Sequence, residues 1–138
     1  FTNLFWGIVG DKIGWVKQIR WFGCIGMALS TLGFYYVPLW FGPNFWITAV
    51  VATAFGFAVA AFVPMSAIFP TLEPRHKGAA VSIHNLSAGL SNFLGPAIAT
   101  IVLMFGDALV TIWVYAAIYC IGFVLTFFMK VKQPSLQK

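Results

Sequence analysis

Four long runs of apolar residues, separated by short polar segments, dominate the chain. They cover residues 21–40, 45–69, 79–105 and 108–129. A helix of about 20 residues crosses a hydrocarbon core of roughly 30 Å. The runs are too long for transmembrane β-strands and lack their alternation of apolar and polar positions. The pattern therefore predicts an all-α fold, a polytopic transmembrane helical bundle with four spans.

The flanking segments are predicted to lie outside these spans. Residues 1–9 resemble the end of a fifth helix, residues 10–20 a cytoplasmic loop, and residues 130–138 a cytoplasmic tail. The chain has no initiator Met and begins within a helical pattern. We therefore expect residues 1–138 to be the C-terminal part of a longer membrane protein, whose missing N-terminal helices would pack against it.

Composition supports a membrane protein and charge sets its orientation. Hydrophobic residues make up 61% of the chain and charged residues 8%, against roughly 25% charged in soluble domains. All basic residues precede the first span, separate the second from the third, or follow the fourth. They are Lys12, Lys17, Arg20, Arg75, Lys77, Lys130, Lys132 and Lys138. The positive-inside rule makes that side cytoplasmic, so the net charge of +5 reports the orientation of the helices in the membrane. We therefore expect no nucleic-acid partner.

The sequence offers little for catalysis. The acidic residues Asp11, Glu73 and Asp107 all lie in predicted loops, and Cys24 and Cys120 lie singly within spans. We find no His/Cys cluster, nucleotide-binding loop or nucleophile motif. We expect no catalytic residue, no metal and no cofactor, and a protein that is not an enzyme.

Glycine residues flank an acid–base pair in the segment before the first span. Gly7 and Gly14 permit a tight reversal or the close approach of another helix. Asp11 can pair with a cation or face a helix N-terminus, a contact that can form in one conformation and break in another. The alternative is an ordinary charged turn.

This G-x-x-x-D-K-x-G pattern resembles the cytoplasmic loop signature of the major facilitator superfamily. In that family the signature follows the second helix and recurs in weaker form after the eighth. Trp15 and Val16 stand where the strict form has basic residues, which favours the weaker copy and makes the four spans helices nine to twelve. The resemblance implies a conformational latch made of Gly7, Asp11, Lys12, Gly14 and Lys17.

Other segments resemble the bacterial ribitol and D-arabinitol permeases of that superfamily. They are residues 20–29, 60–65, 69–74, 76–80, 85–89, 91–94 and 133–134. The resemblance implies a secondary active transporter in the bacterial cytoplasmic (inner) membrane, importing a pentitol by proton symport. Its expected partners are a small neutral polyol or sugar, protons and the lipid bilayer. The alternatives are a carrier for another small organic solute, such as a sugar or carboxylate, or a non-catalytic membrane subunit.

Polar residues within the spans are the candidates for the substrate path. Asn85 and Asn92 share one helix face, where a carboxamide can bind substrate hydroxyls or join neighbouring helices. In the second span, Thr53 and Phe55 could contact substrate, with core packing the alternative for the phenyl ring. Pro64 is a hinge candidate, and a fixed kink is the alternative.

The four predicted spans offer no evident group that would couple transport to protons. Buried acidic groups commonly serve this role in transporters, and none lies in the four spans. If the protein couples to protons, we expect the titratable group in the missing N-terminal part.

Overall fold

The computed structural model describes residues 2–133, which form a bundle of helices. Helix α1 covers Thr2–Ile13, α2 Trp15–Phe41, α3 Phe45–Leu72, α4 Lys77–Phe105 and α5 Ala108–Leu125. Helices α2 to α5 are long and apolar enough to cross a membrane. No strand occurs within residues 2–133. The predicted class, an all-α transmembrane bundle, is confirmed.

The segment 10–20 differs most from the sequence prediction. Helix α1 continues to Ile13 and α2 begins at Trp15, so Gly14 alone separates them. Gly14 has φ 108°, which L side chains rarely adopt, and its N–H donates to the Gly10 carbonyl at 2.9 Å. The predicted loop of residues 10–20 was therefore wrong. Its lysines and arginine are good helix formers whose long stems lie along a helix surface, so they do not end a helix.

Helix α2 lies at the centre of the bundle, packed against α3 on one side and α5 on the other. It contains a π-helical segment at Ile19–Ile25 before regular α-helix resumes. Small residues bring α2 close to α3: a Cβ added at Gly26 would lie 3.1 Å from the Ala58 Cβ. Small residues at helix contacts are typical of membrane bundles, where packing replaces the hydrophobic effect.

Helix α3 is interrupted near its middle. Regular α-helix ends at Ala60 and resumes at Met65, and the intervening residues 61–64 make tighter turns. The N–H groups of residues 61, 62 and 63 each donate to the carbonyl three positions earlier. Pro64 has no N–H and interrupts this series, so the Ala61 carbonyl lacks the donor that the pattern would supply. The Met65 N–H resumes the series by donating to the Phe62 carbonyl at 2.9 Å.

The last span ends earlier than predicted, because α5 stops at Leu125 rather than at residue 129. Arg20 on α2 binds this end. Its Nε donates to Thr126 Oγ1 at 2.9 Å, and its Nη2 donates to the Thr126 carbonyl at 2.8 Å. The guanidinium also lies 3.8 Å from the centre of the Phe127 ring. A cation at a helix C-terminus satisfies carbonyls that have no helical partner and complements the helix dipole.

Helix α4 is the least covered of the long helices, and Ala80 is its one buried residue in the described structure. The His84 ring lies 4.9 Å from the Phe69 ring of α3. Further along, the Tyr115 hydroxyl of α5 donates to the Gly95 carbonyl at 2.7 Å. These contacts hold α4 at two points and leave most of its surface exposed, including both candidate asparagines.

Candidate functional site

The end of α1, the start of α2 and the interruption of α3 meet at Gly10. A Cβ added at this buried glycine would lie 2.6 Å from Gln18 Oε1, 3.2 Å from Trp15 Cδ1 and 3.3 Å from Pro64 Cγ. No side chain larger than hydrogen fits there without moving a neighbour. We name Gly10, Trp15, Gln18, Pro64 and Gln133 the Gly10 junction.

Gln18 connects this junction to the interruption of α3. Its side chain is fully buried, and its Nε2 donates to the Ala61 carbonyl at 3.1 Å. That carbonyl is the one that Pro64 leaves without a backbone donor. Gln18 Oε1 has no hydrogen-bond partner among residues 2–133. An unsatisfied buried acceptor costs about 1–3 kcal/mol, which offsets part of the stabilisation from the bond between Gln18 Nε2 and the Ala61 carbonyl.

Gln133, eight residues beyond the end of α5, closes the junction from the other side. Its Oε1 accepts the Trp15 backbone N–H at 2.8 Å, and its Nε2 donates to the Gly10 carbonyl at 3.0 Å. The residue is only 6% exposed. One amide thus bridges the last turn of α1 and the first residue of α2, across the break at Gly14.

The five predicted latch residues lie around this junction, but they do not form its packed centre. Gly14 makes the break, and Asp11 Oδ1 accepts the Trp15 indole N–H at 3.1 Å. Lys12 and Lys17 are exposed. A Cβ at Gly7 would meet nothing within 4 Å, so the close approach expected of Gly7 occurs at Gly10 instead.

Sequence reasoning missed Gly10, Gln18 and Gln133. Gly10 stands inside the motif, at a position the signature leaves open. Gln18 was placed in a loop, because it stands among the basic residues Lys17 and Arg20. The partner of Gln133 is 118 residues away in sequence, and no local pattern could reveal it.

The candidate path residues lie on different surfaces. Asn85 and Asn92 are exposed on α4, seven residues apart and hence on one face. Thr53 lines an open apolar groove of about 780 Å³ between α1, α2 and α3, and its hydroxyl donates to the Ala49 carbonyl at 2.8 Å. Phe55 packs edge-to-face on Phe34, with ring centres 5.6 Å apart. None of the cavities described brings the asparagines together with Thr53 or Phe55.

Asn92 has a feature that Asn85 lacks. Pro96 follows it by four residues within α4, and proline cannot donate the helical hydrogen bond to the Asn92 carbonyl. Asn92 therefore combines a side-chain amide, which both donates and accepts, with a backbone acceptor released from its usual helical partner.

Metal-ligating side chains are scattered in the described structure. No three His, Cys, Asp or Glu side chains within residues 2–133 come together as ligands would. Cys24 is buried, Cys120 is exposed, and both are free thiols. His76 Nδ1 lies 3.6 Å from Glu73 Oε1 in an exposed pair between α3 and α4.

Comparison with known families decides the identity of this bundle. The family model described as Major Facilitator Superfamily matches residues 1–138, the whole chain. The chain belongs to the major facilitator superfamily. The resemblance predicted from the loop signature is therefore confirmed, and this major facilitator chain is a multi-pass membrane protein.

The relatives of the chain agree with its resemblance to ribitol and D-arabinitol permeases. The chain is 58% identical to a ribitol transporter and 55% identical to a D-arabinitol transporter, both of Klebsiella pneumoniae, over 98% of its length. It is 40% identical over 96% of its length to an alpha-ketoglutarate permease of Bacillus subtilis. The chain spans about a third of these relatives, 32%, 32% and 31% of their lengths. No solved structure matches.

The packing at Gly10 gives a testable expectation for this major facilitator chain. Gly10→Ala in the full-length protein should lower the free energy of unfolding by about 1–3 kcal/mol, because the added methyl group displaces Gln18. Gly7→Ala is the matched control in the same helix and should be neutral or stabilising by up to about 1 kcal/mol, since its Cβ meets open space. Thermal unfolding in detergent measures both variants, and equal effects would contradict the packing described.

Proposed function

We propose that the full-length protein is a transporter, not an enzyme, and that it imports a pentitol such as ribitol or D-arabinitol. The identity of 55–58% with transporters named for these polyols carries the proposal. The chain supplies four of the membrane-spanning helices. In transporters built from repeats the substrate site lies near the bilayer midplane between the repeats, so the helices outside this chain would complete it.

The chemistry of α4 supports a neutral, hydroxyl-rich substrate. Asn85 and Asn92 are exposed on one face, and exposed carboxamides at bilayer depth are unfavourable unless they meet protein, water or solute. A polyol hydroxyl both donates and accepts, as a carboxamide does. We place these asparagines on the substrate path with Thr53 and Phe55 as second contacts, and we assign the Asn92 carbonyl freed by Pro96 to the same path.

A carboxylate is the second candidate substrate, because one relative is named as an alpha-ketoglutarate permease. A dicarboxylate needs a positive countercharge within the membrane. Residues 45–69 and 79–105 contain no Lys or Arg. That charge would have to come from helices outside this chain, which favours the neutral polyol.

The proposed setting is the bacterial inner membrane, with the basic segments and the C-terminus in the cytoplasm. Import would be driven by proton symport. The spans hold no Asp or Glu, so the proposal assigns the coupling group to helices outside this chain.

The Gly10 junction would act as the conformational latch of this transporter. Alternating access moves one part of such a protein against the other, so contacts at the ends of spans form in one state and break in another. Gln133 and Gln18 hold α1, α2 and α3 together through backbone carbonyls and an N–H. Pro64, at the interruption of α3, would be the hinge that moves when these bonds break.

Uptake of labelled solutes tests the function. Cells expressing the full-length protein should accumulate ribitol, D-arabinitol or both, and a protonophore should abolish the accumulation. Labelled alpha-ketoglutarate serves as the competing substrate. Uptake of the dicarboxylate alone, with the protein inserted in the membrane, would overturn the polyol assignment, and polyol uptake that resists the protonophore would overturn proton symport.

The role of Asn92 is testable in the same assay. Asn92→Ala should raise the KM for the polyol about tenfold or more, since a substrate loses one or two hydrogen bonds. Ser91→Ala is the control on a neighbouring face, where the hydroxyl bonds only within its own helix, to the Ala88 carbonyl at 2.8 Å. A normal KM for Asn92→Ala would remove it from the path.

The latch predicts a local effect of Gln133. Gln133→Ala should speed hydrogen exchange of the backbone around residues 10–18 by about tenfold or more, because the Trp15 N–H and the Gly10 carbonyl lose their bridging partner. Lys130→Ala, nearby and exposed, should leave that exchange unchanged. Mass spectrometry of the full-length protein measures both, and equal exchange in the two variants would refute the latch.

A further inference from the structure

A groove of about 370 Å³ lies between the start of α2 and the segment that follows α5. The residues that line it include Lys17 and Lys132, together with the apolar residues Trp15, Val16 and Val131. We infer that this groove binds the headgroup of an anionic phospholipid, with the two lysines holding the phosphate and the apolar wall covering the upper part of the lipid.

The positive charge beside the groove favours an anionic ligand. Lys17 and Lys132 are both exposed, and neither has a carboxylate within 4 Å among residues 2–133, where the one ion pair joins His76 and Glu73. No acidic side chain lines the groove in the described structure. Two positively charged side chains beside one groove favour an anionic ligand, and a bound phosphate would lower their mutual repulsion.

The structure also fixes the two lysine-bearing segments relative to each other. Lys132 directly precedes Gln133, and Lys17 follows Trp15 by two residues. The bond between the Trp15 N–H and Gln133 Oε1, 2.8 Å long, ties these segments together in the absence of a ligand. The site is therefore preorganised, which lowers the entropic cost of binding.

The position and apolar wall of the groove favour a lipid over a free phosphate ion. Helix α2 begins at Trp15 and α5 ends at Leu125, so the groove lies at the ends of two spans, where headgroups meet the hydrocarbon. Trp15 provides the amphipathic ring typical of that boundary. A small inorganic anion makes no use of Trp15, Val16 or Val131, whereas the glycerol and first acyl carbons of a phospholipid do.

Lipid retention measured on the purified full-length protein tests this inference. Native mass spectrometry should show preferential retention of phosphatidylglycerol over phosphatidylcholine from an equimolar mixture. Lys17→Ala/Lys132→Ala should reduce the phosphatidylglycerol affinity by about tenfold to thirtyfold. The control Lys77→Ala/Lys130→Ala removes the same charge from basic residues outside the groove and should change the affinity less than about twofold.

Three results would overturn the inference. Equal retention of the two lipids by the unmodified protein would exclude a site selective for the anionic headgroup. This measurement does not depend on whether any variant folds. Equal losses in both double variants would indicate general surface charge. Competition by millimolar inorganic phosphate as effective as that by phosphatidylglycerol would make the groove a free-anion site. Lys17→Arg/Lys132→Arg should retain the lipid, since it preserves both charges.

Discussion

The structure depends on how it satisfies the backbone groups that two helix interruptions release. The break at Gly14 leaves the N–H of Trp15 without a helical acceptor, and Pro64 leaves the carbonyl of Ala61 without a backbone donor. Beside a bilayer, a buried backbone group without a partner costs several kcal/mol. Two glutamine side chains meet this demand, and they link segments that are far apart in sequence.

These glutamines, together with Arg20, connect the start of α2 with three other helices, α1, α3 and α5. Gln18 joins α2 to α3, Gln133 joins the segment after α5 to α1 and α2, and Arg20 joins α2 to the end of α5. The start of α2 contributes to all three connections. Movement of any one of these helices relative to α2 therefore has to break hydrogen bonds near the start of α2.

The sequence predicted the features that depend on composition and length. Twenty or more apolar residues need a membrane whatever their neighbours are, so the four spans and the family signature were accessible without coordinates. Helix ends were less predictable, because basic residues look the same in a loop and along a helix surface. Gly10 and Gly7 look alike in sequence, and only the approach of Gln18, Trp15 and Pro64 distinguishes them. The candidate path residues were chosen by side-chain type, as polar or aromatic groups within the spans, and the described part of the chain does not bring them together.

Helix α4 contacts the rest of the chain at His84 and at Gly95, and Asn85 and Asn92 lie between these two supports. The supports are eleven residues apart, about 16 Å along a helix axis. Between these supports most side chains of α4 stay exposed within this chain. Within residues 2–133 the position of α4 therefore depends mainly on α3 and α5, and a shift of either helix would displace Asn85 and Asn92 together.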